Sequence, residues 1–148
     1  MTSGAKEPGC VLCRALEGAG GTDSLVVHVG AHDFVVMNRY PYNPGHIMIA
    51  PRRHVGTLQD ATAEELTEMM SLARRAEEAF REAYKPDGMN IGMNLGRPAG
   101  AGVADHIHLH AVPRWSGDTN FMGVVAEVRV IPEDAVAAAA RLRPYFAR

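Results

Sequence analysis

The sequence predicts an α+β domain: a mostly antiparallel sheet with one long helix and a C-terminal helix. Three observations predict it. Short apolar or alternating runs are separated by Gly, Pro and Asn turns, one long stretch repeats with helical period, and strand–helix–strand alternation is missing. At 148 residues and 47% apolar composition, the chain is long enough for a sizeable core and too short for two ordinary domains, so 1–148 is read as a single domain.

The formal net charge of −2 supplies no basic field, so no specific nucleic-acid binding is expected. The first ten residues lack an apolar signal region, and no run approaches the ~18 apolar residues of a membrane span. The expectation is a soluble cytoplasmic protein without a membrane partner.

Cys10-Val-Leu-Cys13 contains the only two cysteines, in a segment of about residues 8–16. That spacing reads as half a zinc site or as a redox pair. A redox pair calls for a preceding strand, which is absent here, so zinc leads over two unrelated thiols. Two sulfurs leave a tetrahedron half filled, and its other ligands would have to be histidines from elsewhere. After a Gly-rich link, Ser24–Gly30 and Asp33–Asn38 read as a hairpin across Gly30-Ala-His-Asp33. Asn38-Arg-Tyr-Pro-Tyr-Asn-Pro-Gly-His46 is a turn-rich loop, and His46–Ala50 is a third strand. A polar loop between buried strands is a natural place for ligand contacts.

Thr62-Ala-Glu-Glu65 has the capping-box form and starts the long helix. Leu66, Met69, Met70, Ala73, Ala76 and Phe80 then fall at helical spacing as a buried stripe, with Glu64, Glu68, Arg74 and Glu78 facing water. Lys85-Pro-Asp-Gly88 ends it. Met89–Asn94 is a strand, followed by the Gly-rich loop Leu95–Val103, whose backbone amides suit an anion such as phosphate. Ser116–Phe121 is a turn, Val124–Ile131 a last candidate strand, and about 132–146 the terminal helix, with Glu133 and Asp134 at its start and Arg141 and Arg143 near its end. His28 and His32 are read as surface residues.

Asp105-His-Ile-His-Leu-His-Ala-Val-Pro-Arg-Trp115 carries three of the seven histidines at alternate positions. On a strand, His106, His108 and His110 share one face, while Ile107, Leu109 and Ala111 pack on the other. Three readings stay open for that ladder: a polar strand face, a metal site, and nucleophilic catalysis by one imidazole oriented by its neighbours.

His106-Ile-His-Leu-His-Ala-Val112 fits the histidine triad pattern at every position, and the match runs from about Cys10 to Asn120. The sequence therefore resembles the histidine triad (HIT) superfamily of nucleotide hydrolases and transferases. Asn90–Gly96 and Pro113–Phe121 look most like the branch of bacterial diadenosine tetraphosphate phosphorylases. The resemblance implies a HIT-like sheet of about five strands and a homodimer.

It also implies cleavage of nucleoside phosphates or dinucleoside polyphosphates through a covalent nucleotidyl-histidine. By the same resemblance His108 is the nucleophile, while His110 binds phosphate and assists proton transfer. Asn38 contacts ribose. Asn94 and the backbone amides from Gly100 through Gly102 to Val103 hold phosphate oxygens. Trp115 stacks on a base or lies in the core, and His46 lines the site or supports the fold. Relatives with a Cys-x-x-Cys bind structural zinc, a set that maps to Cys10, Cys13, His54 and His106. This chain departs from the family where Gly102-Val-Ala-Asp105 lacks the hydroxyl that relatives place before the triad, which leaves backbone amides alone to hold the phosphate. Asp105 is expected to point away or to orient an imidazole.

Overall fold

The computed structural model describes residues 9–101, 105–118 and 133–148. Its elements are α1 (Val11–Glu17), β1 (Val26–Val29), β2 (Asp33–Met37), β3 (Ile47–Pro51), α2 (Ala63–Ala83), β4 (Gly88–Gly92), a 3-10 turn at Arg97–Ala99, β5 (Leu109–Arg114) and α3 (Ala135–Phe146). The five strands form one antiparallel sheet in the order β1-β2-β3-β5-β4, as expected of an α+β fold. The candidate strand Val124–Ile131, Gly102, Val103 and part of the Ser116–Phe121 turn lie outside the described residues.

Alternation decides the layers. Val35, Met37, Ile47, Ile49, Leu109 and Ala111 share one sheet face and are buried under α2 and α3, whose Leu72, Ala76, Phe80, Leu142 and Phe146 complete this core. The opposite face is covered only in part. Val26, Phe34, Val36 and Ala50 pack against Leu12, Cys13 and Leu16 of α1, and among the described residues the β3-β5-β4 half of that face carries no helix.

Helix α2 begins where the sequence predicts. Thr62 accepts from the Glu65 amide at 3.0 Å, and the Glu65 carboxylate accepts from the Thr62 amide at 2.8 Å. Three expectations on and around it are corrected. Met70 is 56% exposed, because Met69 already occupies the core side and adjacent helical residues point about 100° apart. Glu68 does not face water freely: it accepts from the Asp33 amide at 2.7 Å and the His32 amide at 3.1 Å, closing the β1–β2 hairpin. His28 is half-buried and stacks on Phe146 at 6.0 Å between ring centroids, whereas His32 is exposed as expected. Helix α1 itself was not anticipated.

Asp33 is wholly buried, and among the described residues neither carboxylate oxygen has a hydrogen-bond partner. Burial first, then the neighbouring Glu68 and Glu65 charges, raise its carboxyl to about 8. The folded chain therefore binds a proton that the unfolded chain lacks between about pH 4 and 8, so this contribution to stability is lost as pH rises across that window, at roughly 1.4 kcal/mol per unit. Asp33→Asn removes the titration. The variant is expected to melt above the parent at pH 8, with the gap narrowing toward pH 5; a gap independent of pH would contradict the assignment.

Candidate functional site

The histidine ladder lies on the open half of the sheet. β5 begins only at Leu109, so His106 and His108 stand in the extended run leading into it and His110 is the second residue of the strand. The backbone turns just before them, with Asp105 exposed in the left-handed region at φ 66°. Ile107 anchors the run by donating to the Val55 carbonyl at 2.8 Å. His106 and His108 are 1% and 3% exposed, and His110 is half-buried.

His108 Nδ1 lies 3.0 Å from the His106 carbonyl oxygen, which can only accept, so Nδ1 carries the proton. In the neutral ring the lone pair is then on Nε2. The His108 and His110 rings meet edge to face at 4.8 Å. His110 Nδ1 is 2.8 Å from His46 Nε2, so one of these two nitrogens donates to the other. His46 is fully buried under the Asn38–His46 loop, where its Nδ1 accepts from the Tyr42 amide at 3.1 Å and Tyr42 stacks on it at 4.9 Å. Nδ1 is therefore the unprotonated nitrogen, and the Nε2 proton points to His110. Asn38 Nδ2 stands 3.4 Å from the same Nε2, which brings it into the cluster.

Burial, with the charges of neighbouring imidazoles second, holds His46 down at about 4 and lowers His110 as well, so both are neutral at pH 7. The loop keeps its course through Gly45. Its φ is 85°, and a Cβ there would come within 3.0 Å of Pro113 and Tyr84.

The second cluster is at the other end of the ladder. Cys10, Cys13, His54 and His106 bring four potential ligand atoms within 4.8 Å of one another, among the described residues the one group of three or more that could hold a metal. Cys10 Sγ–His106 Nδ1, Cys13 Sγ–His54 Nδ1 and Cys13 Sγ–His106 Nδ1 measure 3.3, 3.5 and 3.6 Å. With Zn–S of about 2.3 Å and Zn–N of about 2.05 Å, a tetrahedron has an S···N edge of about 3.6 Å. The donor set therefore fits zinc. His106 Nε2 donates to the Pro51 carbonyl at 2.8 Å, which leaves Nδ1 as the ligating nitrogen. Helix α1 delivers both thiols: Cys10 is its N-cap and Cys13 faces inward with Leu12 and Leu16.

The remaining expected residues are dispersed. Asn94 Nδ2 donates to the Gly100 carbonyl at 3.3 Å, tying the Gly-rich loop to the end of β4. Trp115 is half-exposed and is not among the residues lining the adjoining cleft. That cleft, about 540 Å³, is lined by His110 and Asn94 and by Tyr42, Asn43, Asn90, Val112, Arg114 and Asp118. Sequence reasoning missed Tyr42 and the Asn43–Asp118–Arg114–Asn90 chain; the one signal for them was Arg114 at an alternate position after His110 and Val112.

The HIT domain family model matches residues 21–117. The AP-4-A phosphorylase of Mycobacterium tuberculosis is 43% identical over 111 residues, which are 75% of this chain and 57% of that protein. The asymmetrical bis(5'-nucleosyl)-tetraphosphatase of Schizosaccharomyces pombe is 34% identical over 82 residues, covering 55% of this chain and 44% of its own length. The chain thus spans only about half of these relatives. A zinc-bound histidine triad family protein from Mycobacterium smegmatis superposes with a TM-score of 0.73 at 28% identity, covering 94% of each chain.

Proposed function

The chain belongs to the HIT domain family, and from that membership we propose that it is an enzyme cleaving dinucleoside polyphosphates, such as diadenosine tetraphosphate, through a nucleotidyl adduct on His108. The observation that carries this reading is the orientation of His108: its Nδ1 proton is held by the His106 carbonyl, which leaves Nε2 as the nitrogen that can attack. Nε2 attacks a phosphorus, a P–N bond forms, and the P–O bond to the remaining phosphate chain breaks. His110, neutral and backed by His46, stands beside the reacting phosphate and handles the proton at the leaving oxygen. Water or inorganic phosphate then breaks the P–N bond, releasing a nucleoside mono- or diphosphate and restoring His108. Asn38 holds ribose, and Asn94 with the backbone amides of the Gly-rich loop holds phosphate oxygens as an oxyanion site does.

The similarity to an AP-4-A phosphorylase favours inorganic phosphate as the acceptor. Incubation with diadenosine tetraphosphate, with and without phosphate, tests the proposal: ADP plus ATP marks phosphorolysis and AMP plus ATP hydrolysis, and the absence of any product would refute it. One observation favours a second reading, a zinc-stabilised nucleotide-binding module with little catalysis. His108 is only 3% exposed, so the phosphate has to reach it past His110, where the cleft opens. Tight mononucleotide binding without products from a panel of dinucleotides would decide for the module.

Cys10, Cys13, His54 and His106 would hold zinc as a closed Cys₂His₂ set. With no open position, the metal supplies rigidity and no Lewis-acid step. It would fix the segment whose carbonyl orients His108. A homodimer is part of the proposal. β4 is an edge strand with Ile91 46% exposed, and Met70, Arg74 and Glu77 of α2 line a groove beside it, a self-complementary mix of apolar and opposite charges suited to a two-fold contact. A monomer mass by light scattering would refute that part.

A further inference from the structure

The open sheet face continues beyond the histidines. His110, Val112 and Arg114 alternate along β5, and the facing positions on β4 are Gly92, Asn90 and Gly88. From His110 to Arg114 the strand advances about 13 Å, at about 3.3 Å per residue. Val112 and Gly92 form a low floor, and a Cβ at Gly92 would meet nothing within 4 Å. The walls differ in chemistry. On one side stands Tyr42, 70% exposed, its ring held in place by the stack on His46. At the far end Arg114 donates to Asp118 at 2.6 Å and to Asn90 Oδ1 at 2.6 Å.

Those contacts decide what the cleft can take. Among the described residues Arg114 pairs with Asp118 and His110 is uncharged, so the described lining offers little net charge to attract a further phosphate. It offers instead an exposed aromatic face and a fixed amide. With its Oδ1 committed to Arg114, the exposed Asn90 offers Nδ2 as the amide's remaining group, a donor for a ring acceptor. A flat, uncharged, hydrogen-bonding ring meets both requirements.

We propose that this cleft seats the second nucleoside of a dinucleoside polyphosphate, the half that departs when His108 is attached to the first, with Tyr42 as its stacking wall and Asn90 as its hydrogen-bond donor. The assignment rests on the substrate class proposed above and adds the element that distinguishes two-nucleoside from one-nucleoside substrates. Asn38 follows β2, on the β3 side of His110, whereas the cleft lies over β5 and β4, so on this assignment the phosphate chain crosses the His108–His110 pair between the two nucleosides.

The test is calorimetric titration of the His108→Ala protein, which holds substrate without turnover, with diadenosine tetraphosphate and with adenosine 5'-tetraphosphate, the same phosphate chain lacking the second nucleoside. Binding of the dinucleotide is expected to be at least about tenfold tighter, base–aromatic stacking being worth about 1–3 kcal/mol. Adding Tyr42→Ala should abolish most of that preference and Tyr42→Phe should keep it. Equal affinity for the two ligands, or a Tyr42→Ala loss that is the same for both, would overturn the subsite and leave the substrate class standing. Failure of both ligands to bind would overturn the substrate class and the subsite together.

Discussion

On the proposed mechanism, replacing His108 by Ala is expected to lower turnover of diadenosine tetraphosphate by at least about 10³-fold, while the protein keeps its fold and still binds nucleotide. The size follows from the role. Without Nε2 no P–N bond forms, and direct attack by water or phosphate loses the split of one difficult displacement into two easier ones. Retention of the fold follows from the contacts: beyond the bond to the His106 carbonyl, His108 meets the rest of the site through its edge on His110, and the core under the sheet is built by Ile47, Ile49, Leu109 and Ala111 on the other face. Stopped assays should report loss of product, and the melting curve should stay within a few degrees of the parent. A variant with full turnover would remove His108 from the mechanism.

The second large effect is on stability. Cys10→Ser and Cys13→Ser are each expected to abolish binding of one zinc per chain, measured by metal analysis of the purified protein. Each should also lower Tm by on the order of 10 °C, corresponding to a loss of about 3 kcal/mol or more for a chain of this size. The measurement separates two sites, because a metal held by the three triad histidines alone would survive both substitutions. The described residues speak against that alternative: the group whose ligand atoms converge is Cys10, Cys13, His54 and His106, and His106 Nδ1 faces the two thiols. Prolonged treatment with a strong chelator should reproduce the drop in Tm, and return of zinc should reverse it.

Much of this fold is legible in the sequence where one local rule acts unopposed. The hairpin strands are short apolar runs bounded by turn residues, Thr62 and Glu65 cap α2 reciprocally, and the edges of each element fall within a few residues of the turn signals. The failures share a cause, which is distance along the chain. Glu68 lies on the helix face that periodicity assigns to water, but the hairpin amides 35 and 36 residues away claim its carboxylate. Helix α1 is too short for periodicity to stand out, although Leu12, Cys13 and Leu16 do share a side. For the candidate site, the motif pointed to the imidazoles and thiols, because their chemistry depends on residue type and spacing. The wall of the neighbouring cleft was invisible: Asn43 reaches Asp118 across 75 positions, and no local pattern marks such a pair.

The last helix has a further consequence. Arg143 of α3 donates to the carbonyls of Val26 and Ser24, contacts that span 117 and 119 residues, so β1 is secured by a side chain more than a hundred positions further along the chain. Contacts this remote carry a heavy loop-closure cost and form late. Along the outer margin of β1, amide hydrogens should accordingly be the last in the sheet to gain protection from exchange during refolding.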